Sequence, residues 1–212
     1  MKAVIVCNGT ISDYEHMKKY FEGAGLVICA DGGARHLRRF GLIPDILLGD
    51  FDSISETDLR FFKDKGVEIA SYPAKKDMTD TEIAVELALG KDCSTLTILG
   101  GVGTRLDHSL SNVLLLKKML ACGVNGLIAD EYNEIVLIRD SIRLERENNA
   151  RVTLLPLSQK VCGVTTKGLY FPLENATLEM GSTWGVSNEF SAEAAEVTVK
   201  EGLLLVIKSR EA

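Results

Sequence analysis

The sequence contains no long apolar run. Within its 212 residues, no segment reaches the roughly 18 consecutive apolar residues that a membrane-spanning helix requires. The chain runs directly into the strand-like segment 3–7, without the charged, apolar and small-residue regions of a signal peptide. We therefore expect a protein that is neither inserted into a membrane nor exported.

Extended basic runs are also absent. Acidic residues outnumber basic ones, with 30 aspartates and glutamates against 24 lysines and arginines, and the formal net charge is −6. The basic cluster at residues 35–39 has the character of a solvated helix face rather than of a surface that follows a phosphate backbone. We expect no binding to nucleic acid.

The five cysteines form no Cys-x-x-Cys pair. They are scattered through the chain and odd in number, which argues against a structural zinc site or a disulfide framework. Free thiols are typical of a reducing compartment, so we expect a cytoplasmic protein in which most cysteines are small core residues.

Apolar periodicity divides the chain into two regions. Up to about residue 122, strand-like and helix-like segments alternate, and short glycine-containing loops join them. The predicted strands are 3–7, 26–30, 46–48, 67–70 and 95–99, and the predicted helices are 14–21, 34–40, 55–65, 83–89 and 107–120. Such alternation predicts βαβ units and a mostly parallel sheet.

From about Leu127 the sequence shows only short strand-like runs separated by turn signals, among them Gly163. The runs are 127–129, 134–138, 151–155, 176–179, 196–199 and 203–208. We predict an α/β N-terminal domain (1–136) followed by a C-terminal all-β sandwich domain (137–212).

Two aspartates follow the third predicted strand. Asp50 and Asp52 are two residues apart, so their side chains converge if the extended conformation continues past Gly49. Like charges at close range repel unless a cation lies between them, and Mg²⁺ binds one or two carboxylates together with waters and substrate phosphates. The alternative is a turn in which these residues only cap the next helix.

Three further loops leave the same edge of the predicted sheet, where α/β proteins bind their ligands. They are Asp31-Gly32-Gly33-Ala34, the mixed-charge segment 75–80 and the glycine-rich segment 100–108. Each has a structural alternative: a tight turn for the first, an N-cap at Thr79 for the second and a cap at Asp107 for the third. Together, four acid-rich and glycine-rich loops predict a site for a nucleotide with Mg²⁺.

These motifs, in this order, resemble those of the thiamine pyrophosphokinase family. The resemblance rests on Asp31-Gly32-Gly33-Ala34, Pro44-Asp45-x₃-Gly49-Asp50-Phe51-Asp52-Ser53, Lys76-Asp77-x-Thr79-Asp80 and Gly100-x-x-Gly103-x-Arg105-x-Asp107-His108-x₃-Asn112. Segments 168–173 and 181–189 also resemble the vitamin-binding segment of that family.

The resemblance implies a homodimer with an α/β domain that binds Mg²⁺ and ATP. The β-sandwich would contribute to a thiamine pocket in a cleft between subunits. The implied reaction transfers the β,γ-diphosphoryl group of ATP to the hydroxyethyl group of thiamine, giving thiamine diphosphate and AMP.

The resemblance also assigns residues. The metal ligands would be Asp50, Asp52 and Asp80, and the catalytic residues Asp50, Asp52, Asp77, Asp80 and Arg105, with either Asp77 or Asp80 as the base. ATP would contact Asp31, Gly32, Gly33, Lys76, Thr79, Gly101, Thr104, Arg105, Asp107 and His108. Thiamine would stack on Phe171 or Trp184 and form hydrogen bonds with Ser187 and Asn188. The alternative is that the two aromatic residues belong to the sandwich core and that residues 187–188 form a turn.

Two other functions remain open from the residues. An apolar strand followed by Asp-x-Asp also opens phosphatases that form an aspartyl phosphate, in which Asp50 would be the nucleophile and Asp52 the acid. Gly49 and the Gly-Thr-Arg segment fit that class poorly. The second alternative is a module that senses a nucleotide without catalysis.

Overall fold

The structure, a computed structural model, describes residues 1–211. The chain divides into two compact units, Met1–Glu131 and the part that begins at Tyr132. The predicted junction between residues 136 and 137 falls within the strand Asn133–Ile138.

The first unit alternates strands and helices. The strands are β1 (Lys2–Val6), β2 (Leu26–Ala30), β3 (Ile46–Gly49), β4 (Glu68–Ser71), β5 (Thr95–Leu99) and β6 (Asn125–Ala129). The helices are α1 (Tyr14–Met17), α2 (Ala34–Phe40), α3 (Glu56–Asp64), α4 (Asp80–Leu89) and α5 (Leu106–Ala121), and 3₁₀ turns occupy Lys18–Phe21 and Asp31–Gly33.

The strands of this unit lie in the order β6-β5-β1-β2-β3-β4, and each neighbouring pair is parallel. Ile5, Ile28 and Ile98 on the central strands are fully buried, as expected for a parallel sheet covered by helices on both faces. The α/β fold with a mostly parallel sheet is therefore confirmed.

The Pro44-Asp45 motif has a structural role at the start of β3. The Asp45 carboxylate accepts a hydrogen bond from the backbone N–H of Val27 at 2.7 Å, and the Asp45 N–H donates to the Val27 carbonyl at 2.8 Å. These two bonds fix β3 beside β2, which determines where the loops after both strands meet.

The second unit consists of short strands. They are β7 (Asn133–Ile138), β8 (Ser141–Glu145), β9 (Ala150–Pro156), β10 (Lys160–Lys167), β11 (Ala176–Glu179), β12 (Asn188–Glu189), β13 (Ala194–Thr198) and β14 (Leu204–Arg210). Within this unit, β12-β9-β14-β7 and β11-β10-β13-β8 form two antiparallel layers. One core cluster contains Val152 and Leu204 from the first layer and Val164 and Val197 from the second, so the predicted β-sandwich is confirmed.

Two local predictions are wrong. The single helix predicted for 14–21 ends at Met17 and continues as a 3₁₀ turn. Gly163, read as a turn, lies inside β10, where its φ of +69° accompanies a shift in register between Val161 and Val164. Glycine reaches this left-handed region without steric strain, so the strand bends through a bulge and continues.

The cysteines are all free in the described part of the chain. Cys7, Cys29 and Cys93 are buried, as expected of small core residues, whereas Cys122 is exposed and Cys162 half-buried. None of the helices described for residues 1–211 combines the length and the apolarity needed to cross a membrane.

Candidate active site

A cavity of about 550 Å³ lies at the carboxyl edge of the parallel sheet. Its walls come from the segments that follow β1, β2, β3, β4 and β5 and from the N-terminal parts of α4 and α5. The lining residues include Asn8, Gly9, Asp31, Asp50, Asp52, Ser53, Lys76, Thr79, Asp80, Gly100, Gly101, Val102, Gly103, Thr104, Arg105, His108, Ser109 and Asn112. All four loops selected from the sequence thus contribute to one cavity.

Three carboxylates converge in this cavity. Asp31, Asp50 and Asp52 each contribute one carboxylate oxygen, and these three oxygens lie within 4.8 Å of one another. Asp50 and Asp52 converge through a turn and not through a continued strand, because β3 ends at Gly49 and Phe51 adopts a φ of +65°. The Asp52 N–H donates to Asp50 Oδ1 at 3.2 Å and Ser53 Oγ donates to Asp52 Oδ1 at 2.8 Å, which holds the turn.

Asp31 is the least expected member of this group. It is only 8% exposed, its φ is +44°, and its Oδ1 is buried without a hydrogen-bond partner in the described residues. Burial raises the pKa of the Asp31 carboxyl above its ordinary value, although hydrogen bonds from Ser53 and the Gly32 backbone lower it; the charges of Asp52 and Asp80 raise it further. A buried oxygen of this kind is destabilising unless a cation is nearby.

The carboxylate group therefore fits a magnesium ion. Mg²⁺ prefers hard oxygen ligands and binds through a few carboxylates plus substrate phosphates, and Asp31, Asp50 and Asp52 offer such oxygens around one point. Asp31 was assigned from the resemblance to ATP contact and not to the metal. The signal in the sequence was its position at the end of a strand, like that of Asp50, but only the adjacency of β2 and β3 brings the two together.

Asp80 lies in the same cavity at the N-terminus of α4. Its buried Oδ1 is 3.0 Å from Lys76 Nζ in an ion pair that lacks hydrogen-bond alignment. Asp80 is not one of the three mutually close carboxylates, and the Asp77 side chain is exposed and does not line the cavity. Thr79 caps α4 as predicted, since its Oγ1 accepts from the Glu82 N–H at 3.1 Å.

The segment Asn8-Gly9 forms a fifth wall of the cavity, which was not predicted from the sequence. The Gly9 N–H donates to the Gly100 carbonyl at 2.8 Å, and the Thr10 N–H donates to the Val102 carbonyl at 3.2 Å. A Cβ at Gly9 would lie 2.3 Å from both carbonyl oxygens, so only glycine permits this approach. An Asn-Gly pair directly after a buried strand was the available signal.

Helix α5 holds the glycine-rich segment from the other side. Asn112 Nδ2 donates to the Gly101 carbonyl at 2.7 Å, and the Gly103 N–H donates to Ser109 Oγ at 3.1 Å. The Asn112 side chain therefore holds the neighbouring glycine-rich segment.

Arg105 and Asp107 form an exposed ion pair at the rim of the cavity. Arg105 Nη2 lies 2.6 Å from Asp107 Oδ2, and this hydrogen bond lowers the pKa of the Asp107 carboxyl. Asp107 is not the helix cap, because Arg105 occupies the N-cap position, and Asp107 does not line the cavity. His108 lines it with a half-exposed ring whose Nε2 is 3.9 Å from Asp107 Oδ2.

Gly32 and Gly33 lie beneath the site rather than in its wall. A Cβ at Gly32 would lie 2.4 Å from Asn8 Cγ, and one at Gly33 would lie 2.2 Å from the Val6 carbonyl oxygen. These glycines permit close packing of the β1 and β2 loops.

In the second unit, Phe171 and Trp184 are 62% and 61% exposed, so the alternative that they belong to the sandwich core is wrong. The Asn188 carboxamide accepts from the Phe171 N–H at 3.0 Å and donates to the Phe171 carbonyl at 2.7 Å. The Ser187 N–H donates to Thr153 Oγ1 at 3.0 Å. Asn188 therefore holds the backbone of Phe171, whereas Ser187 is bound to Thr153 on β9.

An α/β unit with acidic and glycine-rich loops at its carboxyl edge, followed by a β-sandwich, has the organisation of a two-domain transferase. Residues 17–126 match the family profile described as thiamin pyrophosphokinase, catalytic domain. Residues 140–204 match the profile described as thiamin pyrophosphokinase, vitamin B1 binding domain. The chain belongs to the thiamine pyrophosphokinase family, a family of diphosphotransferases.

Full-length relatives support this membership. The thiamine pyrophosphokinase of Bacillus subtilis (strain 168) is 31% identical over 214 residues, which cover 100% of both chains. A crystal structure of the thiamine pyrophosphokinase from Bacillus subtilis superposes with a TM-score of 0.91 at 29% identity, covering 100% of both chains. The thiamin pyrophosphokinase from Geobacillus thermodenitrificans gives 0.86 at 28% identity, covering 100% of this chain and 99% of its own. The family and fold predicted from the motifs are confirmed.

Proposed function

We propose that this chain transfers the β,γ-diphosphoryl group of magnesium-bound ATP to the hydroxyethyl group of thiamine, giving thiamine diphosphate and AMP. The observation that carries the proposal is the convergence of Asp31, Asp50 and Asp52 within 4.8 Å, in a cavity that also contains a glycine-rich loop. Family membership supports the type of reaction and the identity of the acceptor.

Asp31, Asp50 and Asp52 would hold the magnesium ion, and Asp80 lies in the same cavity as a further carboxylate. When bound, the ion would neutralise charge on the phosphate oxygens during transfer. The buried, unpartnered Oδ1 of Asp31 supports this assignment, because a cation would stabilise its ionised form.

The glycine-rich loop is suited to a triphosphate. The carbonyls of Gly100, Gly101 and Val102 accept hydrogen bonds from Gly9, Asn112 and Thr10. These oxygens, which would repel an anion, are thereby engaged by protein donors. Lys76 and Arg105 line the same cavity and would neutralise phosphate oxygens.

We propose that Asp80 acts as the base and accepts the proton of the attacking alcohol. The thiamine oxygen forms its bond to the β-phosphorus, the bond from that phosphorus to the oxygen bridging it to the α-phosphate breaks, and AMP leaves with that oxygen. Asp80 presents a buried oxygen without a hydrogen bond in the cavity, whereas Asp77 is exposed outside it. In such transfers, positioning and electrostatics contribute more than covalent participation of the protein.

The exposed rings of Phe171 and Trp184 would bind thiamine. The thiazolium is a cation and the aminopyrimidine is flat, so both suit an aromatic face. Because Trp184 is the single tryptophan, we expect saturating thiamine to change its fluorescence. Unchanged emission would remove Trp184 from the proposed binding surface.

We also propose that the chain forms a homodimer, as the family resemblance implies. Leu106, Leu110 and Leu114 recur every four residues on α5, so they form one stripe, and they are 69%, 56% and 56% exposed. A continuous apolar stripe on a surface helix favours burial against another chain.

Cytoplasmic localisation remains part of this proposal. It rests on the free cysteines of the described chain, since unpaired thiols are typical of a reducing compartment. Fractionation of cells that express the chain would test it directly.

Incubation with Mg²⁺, ATP and thiamine, followed by mass spectrometry, tests the proposed reaction. We expect thiamine diphosphate and AMP in equal amounts. Thiamine monophosphate with ADP would contradict transfer of the diphosphoryl group. Inorganic phosphate released from a monoester would favour the phosphatase alternative, and calorimetric binding of nucleotide without any turnover would favour a sensor.

A further inference from the structure

The loop that joins β1 to α1 is held by an unusual concentration of donors. We call residues Asn8–Asp13 the β1 loop. The Gly9 carbonyl accepts from His36 Nε2 at 2.8 Å and from Arg35 Nη2 at 3.1 Å, and Arg35 Nη2 also donates to the Asn8 carbonyl at 2.8 Å. Both donors come from α2, so this helix fixes the part of the loop that lines the cavity.

A directed chain of hydrogen bonds reaches the Gly9 carbonyl from the protein surface. Arg39 Nη1 lies 3.3 Å from Tyr14 Oη, which in turn lies 2.7 Å from His36 Nδ1. A guanidinium only donates and a carbonyl only accepts. Because the Gly9 carbonyl can only accept, His36 Nε2 carries the proton and donates it, although Arg35 Nε also lies 3.3 Å from Nε2. In the neutral ring Nδ1 is then an acceptor, so Tyr14 Oη donates to Nδ1 and accepts from Arg39.

The surroundings of His36 keep its imidazole neutral. The residue is 3% exposed, and burial lowers the pKa of its imidazole. The charges of Arg35 and Arg39 lower it further, while the Gly9 carbonyl and the Glu131 carboxylate act in the opposite direction. The far end of the β1 loop is held independently, because the Glu131 carboxylate accepts from Ser12 N, Ser12 Oγ and Asp13 N.

We propose that His36 is a positioning residue for nucleotide binding: its Nε2–H, oriented by Tyr14 and Arg39, fixes Gly9 so that the β1 loop engages the carbonyls of the glycine-rich loop. The inference rests on the proposed function, because it takes the polyphosphate of ATP as the ligand of that loop. Gly9 and Thr10 donate to the Gly100 and Val102 carbonyls. If Gly9 shifts, these oxygens are released toward the anion site, and ATP affinity falls.

Two amide substitutions distinguish positioning from packing. The terminal nitrogen of glutamine corresponds in reach to Nε2 of histidine, and that of asparagine to Nδ1. His36→Gln thus retains a donor for Gly9, whereas His36→Asn loses it while introducing the same functional group. Loss of one hydrogen bond at this position corresponds to about a tenfold change in affinity.

We expect His36→Asn to raise the KM for ATP and its calorimetric Kd about tenfold, with kcat and the KM for thiamine within about threefold of wild type. His36→Gln should recover most of the ATP affinity. His16→Asn, which substitutes a histidine outside the cavity lining, is the control and should change neither. The proposal would be overturned if the two His36 variants bind ATP with equal affinity. It would also be overturned if His36→Asn lowers kcat and raises the KM values for ATP and thiamine by the same factor.

The tautomer provides a readout that does not depend on the variants. Nitrogen-15 chemical shifts of the His36 imidazole in the wild-type protein at neutral pH should report a neutral ring protonated at Nε2. A ring protonated at Nδ1, or an imidazolium, would overturn the proposal. If the wild-type chain makes no thiamine diphosphate, the proposed function fails, but the tautomer and the ATP Kd values still decide the role of His36.

Discussion

The Asp31 carboxylate places function and stability in opposition. Burial raises its pKa above the ordinary value of 3.8, so the folded state binds the proton more tightly than the unfolded state does. The stabilising contribution of this residue is therefore complete below the ordinary pKa and is lost as the pH rises through the folded-state pKa. At neutral pH this residue therefore contributes less to the stability of the metal-free fold than it does at acid pH.

We predict that Asp31→Asn raises the melting temperature of the protein without metal or nucleotide and lowers its activity at least about a hundredfold. Asparagine removes the buried charge and tolerates the φ of +44° at this position. Thermal unfolding and thiamine diphosphate formation measure the two effects.

The exposed Asp64→Asn on α3 is the matched control, because Asp64 lies outside the cavity with a side chain that is 73% exposed. It should change neither quantity appreciably. A less stable Asp31→Asn protein with full activity would refute the assignment of Asp31.

For individual site residues, the sequence predicted the right residue types but not how they are grouped in space. Asp50 and Asp52 were predicted to converge along an extended strand, yet the left-handed conformation of Phe51 brings them together. Asp31 joins them only because β2 and β3 are neighbours, and no local pattern states the strand order. Asp45, one residue of the same motif, serves the fold by holding β3 to Val27.

Helices α3 and α4 offer a matched pair of N-caps for a test at the scale of elements. Ser55 Oγ accepts from the Asp58 N–H and Thr79 Oγ1 accepts from the Glu82 N–H, each at 3.1 Å. Only Thr79 lines the cavity. The two caps therefore make equivalent bonds in different functional surroundings.

We predict that Ser55→Ala and Thr79→Ala each reduce the free energy of unfolding by about 1 kcal/mol. Only Thr79→Ala should also lower activity, because the first turn of α4 presents Asp80 to the cavity. Urea denaturation and steady-state kinetics measure the two effects. Equal activity losses in both variants would indicate that the cap at Thr79 acts through stability alone.

Elements with clear end signals were predicted closely. The bounds of β2, α2, β5 and β11 agree with the sequence interpretation, and the positive φ of Gly41 ends α2 as expected. Strands β8, β10 and β12 were missed. Gly163 interrupts the pattern of β10 through a bulge, and β12 has only two residues, so neither shows a readable alternation.

Whole-molecule organisation was recognisable because the periodicity changes from alternating strands and helices to strands alone. The strand order β6-β5-β1-β2-β3-β4 of the first unit was not readable, since it depends on crossovers that the tertiary packing selects. The apolar stripe on α5 was likewise not identified, because its exposure is known only once the opposite face of the helix is packed.

We predict that the wild-type protein is a dimer in solution, with twice the chain mass of 23.1 kDa, and that Leu110→Asp shifts it toward the monomer. A charge in the centre of the stripe would have to be desolvated on association, which opposes dimer formation. Light scattering coupled to size-exclusion chromatography over a range of concentrations measures the change.

Lys63→Asp introduces the same residue at an exposed position of a different helix, α3, and should leave the mass unchanged. A wild-type monomer at every concentration would contradict the dimer proposal, as would a Leu110→Asp protein that retains the full dimer mass.

The most direct measurement compares the rate of AMP formation from ATP and thiamine for the wild type, Asp52→Asn and Asp64→Asn in the presence of Mg²⁺. Asp52 belongs to the converging carboxylates, and removal of a charged contact in the transition state lowers turnover by about 10²–10³. We predict a loss of at least that size in Asp52→Asn, with the fold intact by circular dichroism, and near wild-type rates in Asp64→Asn. A folded Asp52→Asn protein that releases AMP at the wild-type rate would contradict the account.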